Sequence, residues 1–133
     1  ECEGKEVDLE TLEFIHMHKT GALLKACVTS GALIGGASAE VLNALSIYAK
    51  GIGLAFQIID DVLDVTASSD VLGKTAGKDL LADKTTYPKL LGLDESRKRA
   101  NDLVGEAKAA LEPWKMNSEP LLALADYITD RDR

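Results

Sequence analysis

The sequence predicts an all-α fold, on three observations. Apolar residues recur at helical spacing over almost the whole chain. No stretch shows the strict alternation of a half-buried strand, and no internal repeat appears. Glycine, proline and serine punctuate the chain at helix-length intervals. With 133 residues, 46% of them hydrophobic and 28% charged, the chain is sufficient for one domain with a real core.

Net charge is −7, which argues against nucleic acid and anionic membrane as partners. Cys2 and Cys27 match neither a metal-ligand spacing nor a disulfide framework, so a reducing compartment is expected, with Cys27 a small core residue of an Ala-rich helix. No apolar run is read as approaching the roughly 20 residues of a membrane span. The chain starts at Glu1 without Met and shows no signal or transit peptide. It reads as a processed chain or a piece of a longer one.

The first helix is expected to start after Asp8, a plausible N-cap, with Glu10 in its first turn and a Val7–Leu12 staple. It is expected to run to about Ser30, with Leu9, Leu12, His16, Lys19, Leu23 and Ala26 near one face, and to break at Gly31 and Gly35-Gly36. Ser38 caps a long second helix, from Ala39 to Val65. Gly51 and Gly53 lie inside it, where a missing side chain leaves room for a ligand or for close helix packing. A loop is expected over 66–78 and a short helical turn over 79–83. Pro88 opens a short helix ending at Gly92. Asp94 is expected to cap a helix striped by Ala100, Leu103, Val104, Ala107 and Leu111 and ended by Pro113. Ser118 is expected to cap a last helix with Leu121, Leu124, Ala125 and Ile128 inward, before a solvated tail of Asp130, Arg131, Asp132 and Arg133.

The chemistry concentrates at the end of the second helix. Gln57, Asp60, Asp61 and Asp64 are spaced i, i+3, i+4, i+7 and share one side, while Phe56, Ile58, Ile59, Val62, Leu63 and Val65 are all apolar. A helix apolar nearly all round is buried. Three carboxylates on such a helix repel one another and are costly to bury unpaired, unless a cation faces them. Oxygen donors of this kind suit a hard divalent ion, Mg²⁺ above all. Asp60-Asp61-x-x-Asp64 lacks the spacing and glycine of an EF-hand loop.

Residues 68–75 brush against the P-loop pattern, but Ser68 replaces its first glycine and a helix precedes it, so that reading is rejected. Lys74, Lys78 and Lys84 follow closely on the acids. Singly each is an ordinary surface lysine; beside a metal-binding acidic side they point to a phosphate ligand gripped by metal and lysines together. His16 and His18, two apart, point to different helix sides and make a two-His metal site improbable. Lys19 and Thr20 are out of place on a core-facing helix. No Ser/His/Asp or Cys/His arrangement for nucleophilic catalysis stands out.

In order along the chain come His18-Lys19-Thr20, Phe56-Gln57-x-x-Asp60-Asp61-x-x-Asp64, Gly73-Lys74-Thr75-Ala76-Gly77-Lys78-Asp79 and Asp83-Lys84-Thr85-Thr86-Tyr87-Pro88. Together they resemble the C-terminal half of a short-chain trans-prenyltransferase, above all the geranylgeranyl diphosphate synthases of plastids and cyanobacteria. The resemblance runs from about Asp8 to Arg131, and makes residues 1–133 the C-terminal part of one prenyl synthase domain. It implies an isoprenoid-synthase-type helical bundle around a deep cavity. The implied reaction joins isopentenyl diphosphate head to tail to an allylic diphosphate, with Mg²⁺ and lysines holding the departing diphosphate and water excluded. By the resemblance, Asp60, Asp61 and Asp64 are Mg²⁺ ligands, with Asp60 the strongest candidate. Lys19 and Thr20 lie at the allylic diphosphate near the reacting carbons, and Gln57, Lys74 and Lys84 serve the same diphosphate.

The family's first aspartate-rich motif and its following arginine pair have no counterpart. Asp60-Asp61 is the single Asp-Asp pair, and arginines occur at 97, 99, 131 and 133. The chain by itself is therefore expected to be inactive without an N-terminal half, and to expose apolar helix sides. A non-catalytic partner subunit of a prenyl synthase and a terpene cyclase of similar fold are the alternatives. The retained aspartates weigh against the first, and the Lys-Thr pair and later lysines against the second. Homodimerisation, carotenoid biosynthesis and a soluble cytoplasmic or plastid location follow from the resemblance only.

Overall fold

A computed structural model describes residues 7–71 and 85–131. All its regular elements among these residues are helical, as expected for an all-α fold. They are α1 (Leu9–His16), a π turn (Met17–Gly21), α2 (Ala22–Ile34), α3 (Ala39–Val71), α4 (Tyr87–Leu91), α5 (Leu93–Leu111), a 3₁₀ turn (Glu112–Trp114) and α6 (Lys115–Asp130).

α3 is the axis. It packs against α1, the π turn, α2, α4, α5 and α6. Tyr48, Ala49, Ile52, Ala55, Ile58, Ile59 and Val62 on it are essentially inaccessible to water, and α5 answers with Ala100, Leu103, Val104, Ala107 and Leu111. Each fully buried Ile or Leu contributes about 1.5–3 kcal/mol, so this pairing dominates the fold. The helices approach closely because Gly51 has no side chain: a Cβ there would lie 3.0 Å from both the Ala107 Cβ and the Leu103 carbonyl. The Tyr48 hydroxyl donates to the Leu121 carbonyl at 2.6 Å and ties α3 to α6.

By length and composition, residues 39–66 of α3 are long and apolar enough to cross a membrane, which corrects the expectation that no such run exists. Most of that helix is buried inside this fold, as befits the core helix of a helical bundle. α3 also continues six residues past Val65, to Val71, where a loop was expected. The remaining expected loop, 72–78, and the short turn over 79–83 lie outside the described residues.

The first helix is two helices. Asp8 caps α1 as expected, its carboxylate accepting from the Thr11 amide at 2.8 Å. After His16 the backbone switches to i→i+5 bonding, the Ala22 amide reaching the Met17 carbonyl. That turn takes in one extra residue, and the inward side slips by one. It continues from Leu12 and His16 through Gly21 to Leu24 and Val28 instead of through Lys19, Leu23 and Ala26. Leu23 is 66% exposed, and Lys19, Ala26 and Cys27 are also outward, against expectation. Gly31 is inside α2, which ends at Gly35 and at Gly36, where φ is +74°. The Ala37 amide closes the end on the Ala32 carbonyl at 2.9 Å.

α4 has Pro88 in its first turn and Gly92 beyond its end, as expected. α5 is capped by Gly92, not Asp94; Asp94 sits in the first turn, where its charge favours the helix N-terminus. α6 begins at Lys115, because the 3₁₀ turn holding Pro113 reads straight into it. Ser118 is thus inside the helix and donates to the Trp114 carbonyl. Ala125 and Ile128 are buried, but Leu124 is 46% exposed, contrary to its expected inward place.

Candidate functional site: the acidic stretch of α3

Asp60, Asp61 and Asp64 occupy three different environments. Successive residues on a helix are turned by about 100°, and this separates Asp60 from Asp61. Asp61 is 2% exposed and faces α1 and α4. Its Oδ2 accepts from His16 Nε2 at 3.2 Å and from the Tyr87 amide at 3.1 Å. Asp60, half-buried, faces the end of α6. The Arg131 guanidinium donates to its Oδ1 at 2.9 Å, and the Gln57 amide donates to its Oδ2 at 3.4 Å. Asp64, a turn further along, is exposed. Among the described residues no three His, Cys, Asp or Glu side chains are gathered where they could hold a metal ion.

Arg131 was expected in a solvated tail. Instead its guanidinium lies 4.3 Å over the Phe56 ring as well as against Asp60. Its Nε is buried without a partner. A cation therefore already stands at the carboxylate ranked first as a metal ligand.

Behind Asp61 runs a second set of polar contacts that sequence reasoning did not find. The Tyr87 hydroxyl donates to Glu13 Oε1 at 2.8 Å, and Arg99 lies 3.8 Å from the same oxygen. The His16 and Tyr87 rings stack with centroids 5.8 Å apart. Burial, joined by the Glu13 carboxylate, pushes the Tyr87 phenol far above its ordinary value. The available signal was a histidine on a core-facing helix, but its partners are 45 and 71 positions away. His18 is separate, as expected from the two-residue offset: it is exposed, donates Nδ1–H to the Phe14 carbonyl at 2.8 Å and lies against the Phe14 ring, the two planes tilted by 30°.

The π turn carries Lys19, exposed and in no ion pair among the described residues, and the half-buried Thr20. The turn is pressed against α3 where two glycines meet: a Cβ on Gly53 would lie 2.9 Å from the Gly21 Cα. Gly53 thus serves close packing, one of its two expected uses. Lys74, Lys78 and Lys84 lie outside the described residues.

The family model of the polyprenyl synthetases matches residues 1–116. The chain belongs to this family. It is 56% identical over 133 residues to the chloroplastic geranylgeranyl pyrophosphate synthase of Capsicum annuum, covering 98% of this chain and 36% of the relative. A solved structure described as a putative farnesyl-diphosphate synthase from a Marinomonas species is similar with a TM-score of 0.81 and 42% identity, over 97% of this chain and 43% of that one. The geranyltransferase of Helicobacter pylori, solved with magnesium and isoprenyl diphosphate, is similar with a TM-score of 0.69 and 31% identity, over 98% of this chain and 42% of that one. The chain thus spans little more than a third of the length of the pepper synthase. The isoprenoid-synthase-type bundle expected from the sequence is the fold of these neighbours.

Proposed function

We propose that this polyprenyl synthetase chain is the diphosphate-gripping, C-terminal part of a geranylgeranyl diphosphate synthase. That enzyme condenses isopentenyl diphosphate head to tail with an allylic diphosphate. The observation that carries the reading is Asp60: a half-buried carboxylate on the core helix, flanked by the buried Ile58, Ile59 and Val62 and already matched by a cation at 2.9 Å. Carboxylate, amide and diphosphate oxygens form the donor set Mg²⁺ prefers, with one or two carboxylates completed by phosphate and water. Asp60 and the exposed Asp64, one turn apart, fit that role and form the proposed Mg²⁺ face. Bound there, Mg²⁺ would neutralise charge on the departing diphosphate.

The chain's own residues would do the rest. Lys19, projecting from the π turn without an ion pair among the described residues, would place its ammonium on the allylic diphosphate. Thr20 would donate its hydroxyl beside it. Gln57 would hold Asp60 Oδ2 and orient the carboxylate. Lys74 and Lys84 would complete the grip.

The exposed Phe14, Leu23, Leu33 and Ile34 support the reading that further protein, an N-terminal half or a second protomer of a homodimer, covers α1 and α2. This chain without that part would be inactive. The pepper relative is named as chloroplastic, which favours a plastid location here. The test is turnover by a complete synthase carrying this chain. Asp60→Ala and chelation of Mg²⁺ are each expected to abolish formation of the C20 diphosphate. Near-normal turnover after either sinks the proposal.

A further inference from the structure

By the resemblance all three acids of the stretch are Mg²⁺ ligands, with Asp60 foremost, but Asp61 does not share the surroundings of the other two. Its side chain is buried, and both the His16 imidazole and the Tyr87 amide are spent on one of its oxygens. A carboxylate can only accept hydrogen bonds, so His16 Nε2 carries the proton of the 3.2 Å contact; His16 Nδ1 is buried without a partner. His16 is the last residue of α1 and directly precedes the π turn bearing Lys19 and Thr20. Tyr87 opens α4, and its hydroxyl continues through Glu13 back to α1 and, by Arg99, to α5. One carboxylate therefore joins α1, α3 and α4 one residue away from Asp60.

We propose that Asp61, held by His16 and the Tyr87 amide, is a positioning residue that sets the π turn against the acidic stretch of α3, and is not itself a metal ligand. The proposal rests on the functional reading given above. It assigns cation binding to Asp60 and Asp64, and assigns to His16 a role that its place in the sequence does not suggest. Residues that orient ligands without touching the metal typically change activity by about 10–100-fold when replaced. Here the loss should fall on kcat, because the lysine-bearing turn is misplaced relative to the metal face.

The experiment uses a complete synthase carrying this chain and compares Asp61→Asn, His16→Gln, His16→Phe and Asp60→Asn. Mn²⁺ binding is titrated in the presence of inorganic pyrophosphate, beside steady-state kinetics. Asp61→Asn is expected to keep wild-type Mn²⁺ affinity while kcat falls about 10–100-fold. His16→Gln places an amide N–H near the Nε2 position and is expected to retain more of kcat than His16→Phe, again at unchanged Mn²⁺ affinity. Asp60→Asn is expected to lose Mn²⁺ affinity. If Asp61→Asn weakens Mn²⁺ as much as Asp60→Asn does, Asp61 is a ligand and the proposal is overturned. Wild-type kcat in both His16 variants overturns it equally. Should Asp61→Asn not fold, His16→Gln, which leaves the carboxylate charge in place, decides the matter by the same two readouts. A different result marks failure of the functional reading: Asp60→Asn leaving both Mn²⁺ affinity and turnover intact.

Discussion

Gly53 on α3 and Gly21 in the π turn meet backbone to backbone, with 2.9 Å between the Gly21 Cα and the place a Gly53 Cβ would take. The obstacle is main chain, so no rotamer change relieves it. Gly53→Ala is expected to cost about 1–3 kcal/mol by overpacking, read as a lower midpoint in urea. Gly105, inside α5 with nothing within 4 Å of an added Cβ, is the control. Gly105→Ala is expected to stabilise by about 0.5–1 kcal/mol. A stabilised Gly53→Ala would show that the turn is not pressed against α3.

Arg131 joins the last turn of the chain to α3 through Asp60 and the Phe56 ring. Arg131→Ala is expected to lower stability by about 1–2 kcal/mol, most of it from the ring contact, since the ion pair is partly exposed and screened. Arg131→Lys keeps the charge and loses the planar stack, so it should fall between the two. Thermal melts at low and high salt check this: the Arg131→Ala deficit should shrink with salt without disappearing.

Two buried phenols link stability to alkaline pH. Burial pushes Tyr48 up to about 12, and raises Tyr87 further. Both are above their unfolded values, so the unfolded chain loses these protons first. Stability is then flat up to the ordinary tyrosine pKa of about 10 and falls as pH rises beyond it. Denaturant midpoints measured from pH 8 to pH 12 should show this decline beginning near pH 10. Tyr87→Phe should be less stable at neutral pH, having lost the Glu13 contact, and show a shallower alkaline slope.

Lys19 is exposed and contributes nothing visible to packing. Lys19→Ala should leave the melting temperature of a complete synthase unchanged. It should lower kcat/KM for the allylic diphosphate by about 10- to 100-fold, the size of one charge-assisted hydrogen bond. A loss confined to isopentenyl diphosphate would place this lysine elsewhere.

Much of this was legible in the sequence. The extent of apolar residues around Phe56–Val65 reported a buried helix, Asp8 reported the start of α1, and Pro88 with Gly92 bracketed α4. The orientation of α2 was not, because counting at 3.6 residues per turn assumes that no turn takes in an extra residue, and Met17–Gly21 does. The divergence of Asp60 and Asp61 was hidden for another reason. Both satisfy the same spacing rule, and what separates them are partners brought near by the fold: Arg131 for one, His16 and Tyr87 for the other. Arg131 looked solvated because charged chain ends usually are.

The π turn also bears on how such a chain can vary. In a regular helix, which side chain faces a neighbour is changed by substitution. Here it is governed by how many residues the turn takes in. Removing one residue between Met17 and Gly21 would return the backbone to α-helical bonding and leave Leu24 and Val28 inward as now, because the π turn winds its extra residue within a single turn. Winding the same residues as a regular α-helix would instead rotate everything from Ala22 onward by about a quarter turn, swinging the outward Leu23 and Cys27 toward α3 with no side chain chemically altered. A one-residue change in length, usually confined to loops, can thus be absorbed at this point inside a helix by a switch between four- and five-residue bonding, without re-aiming α2.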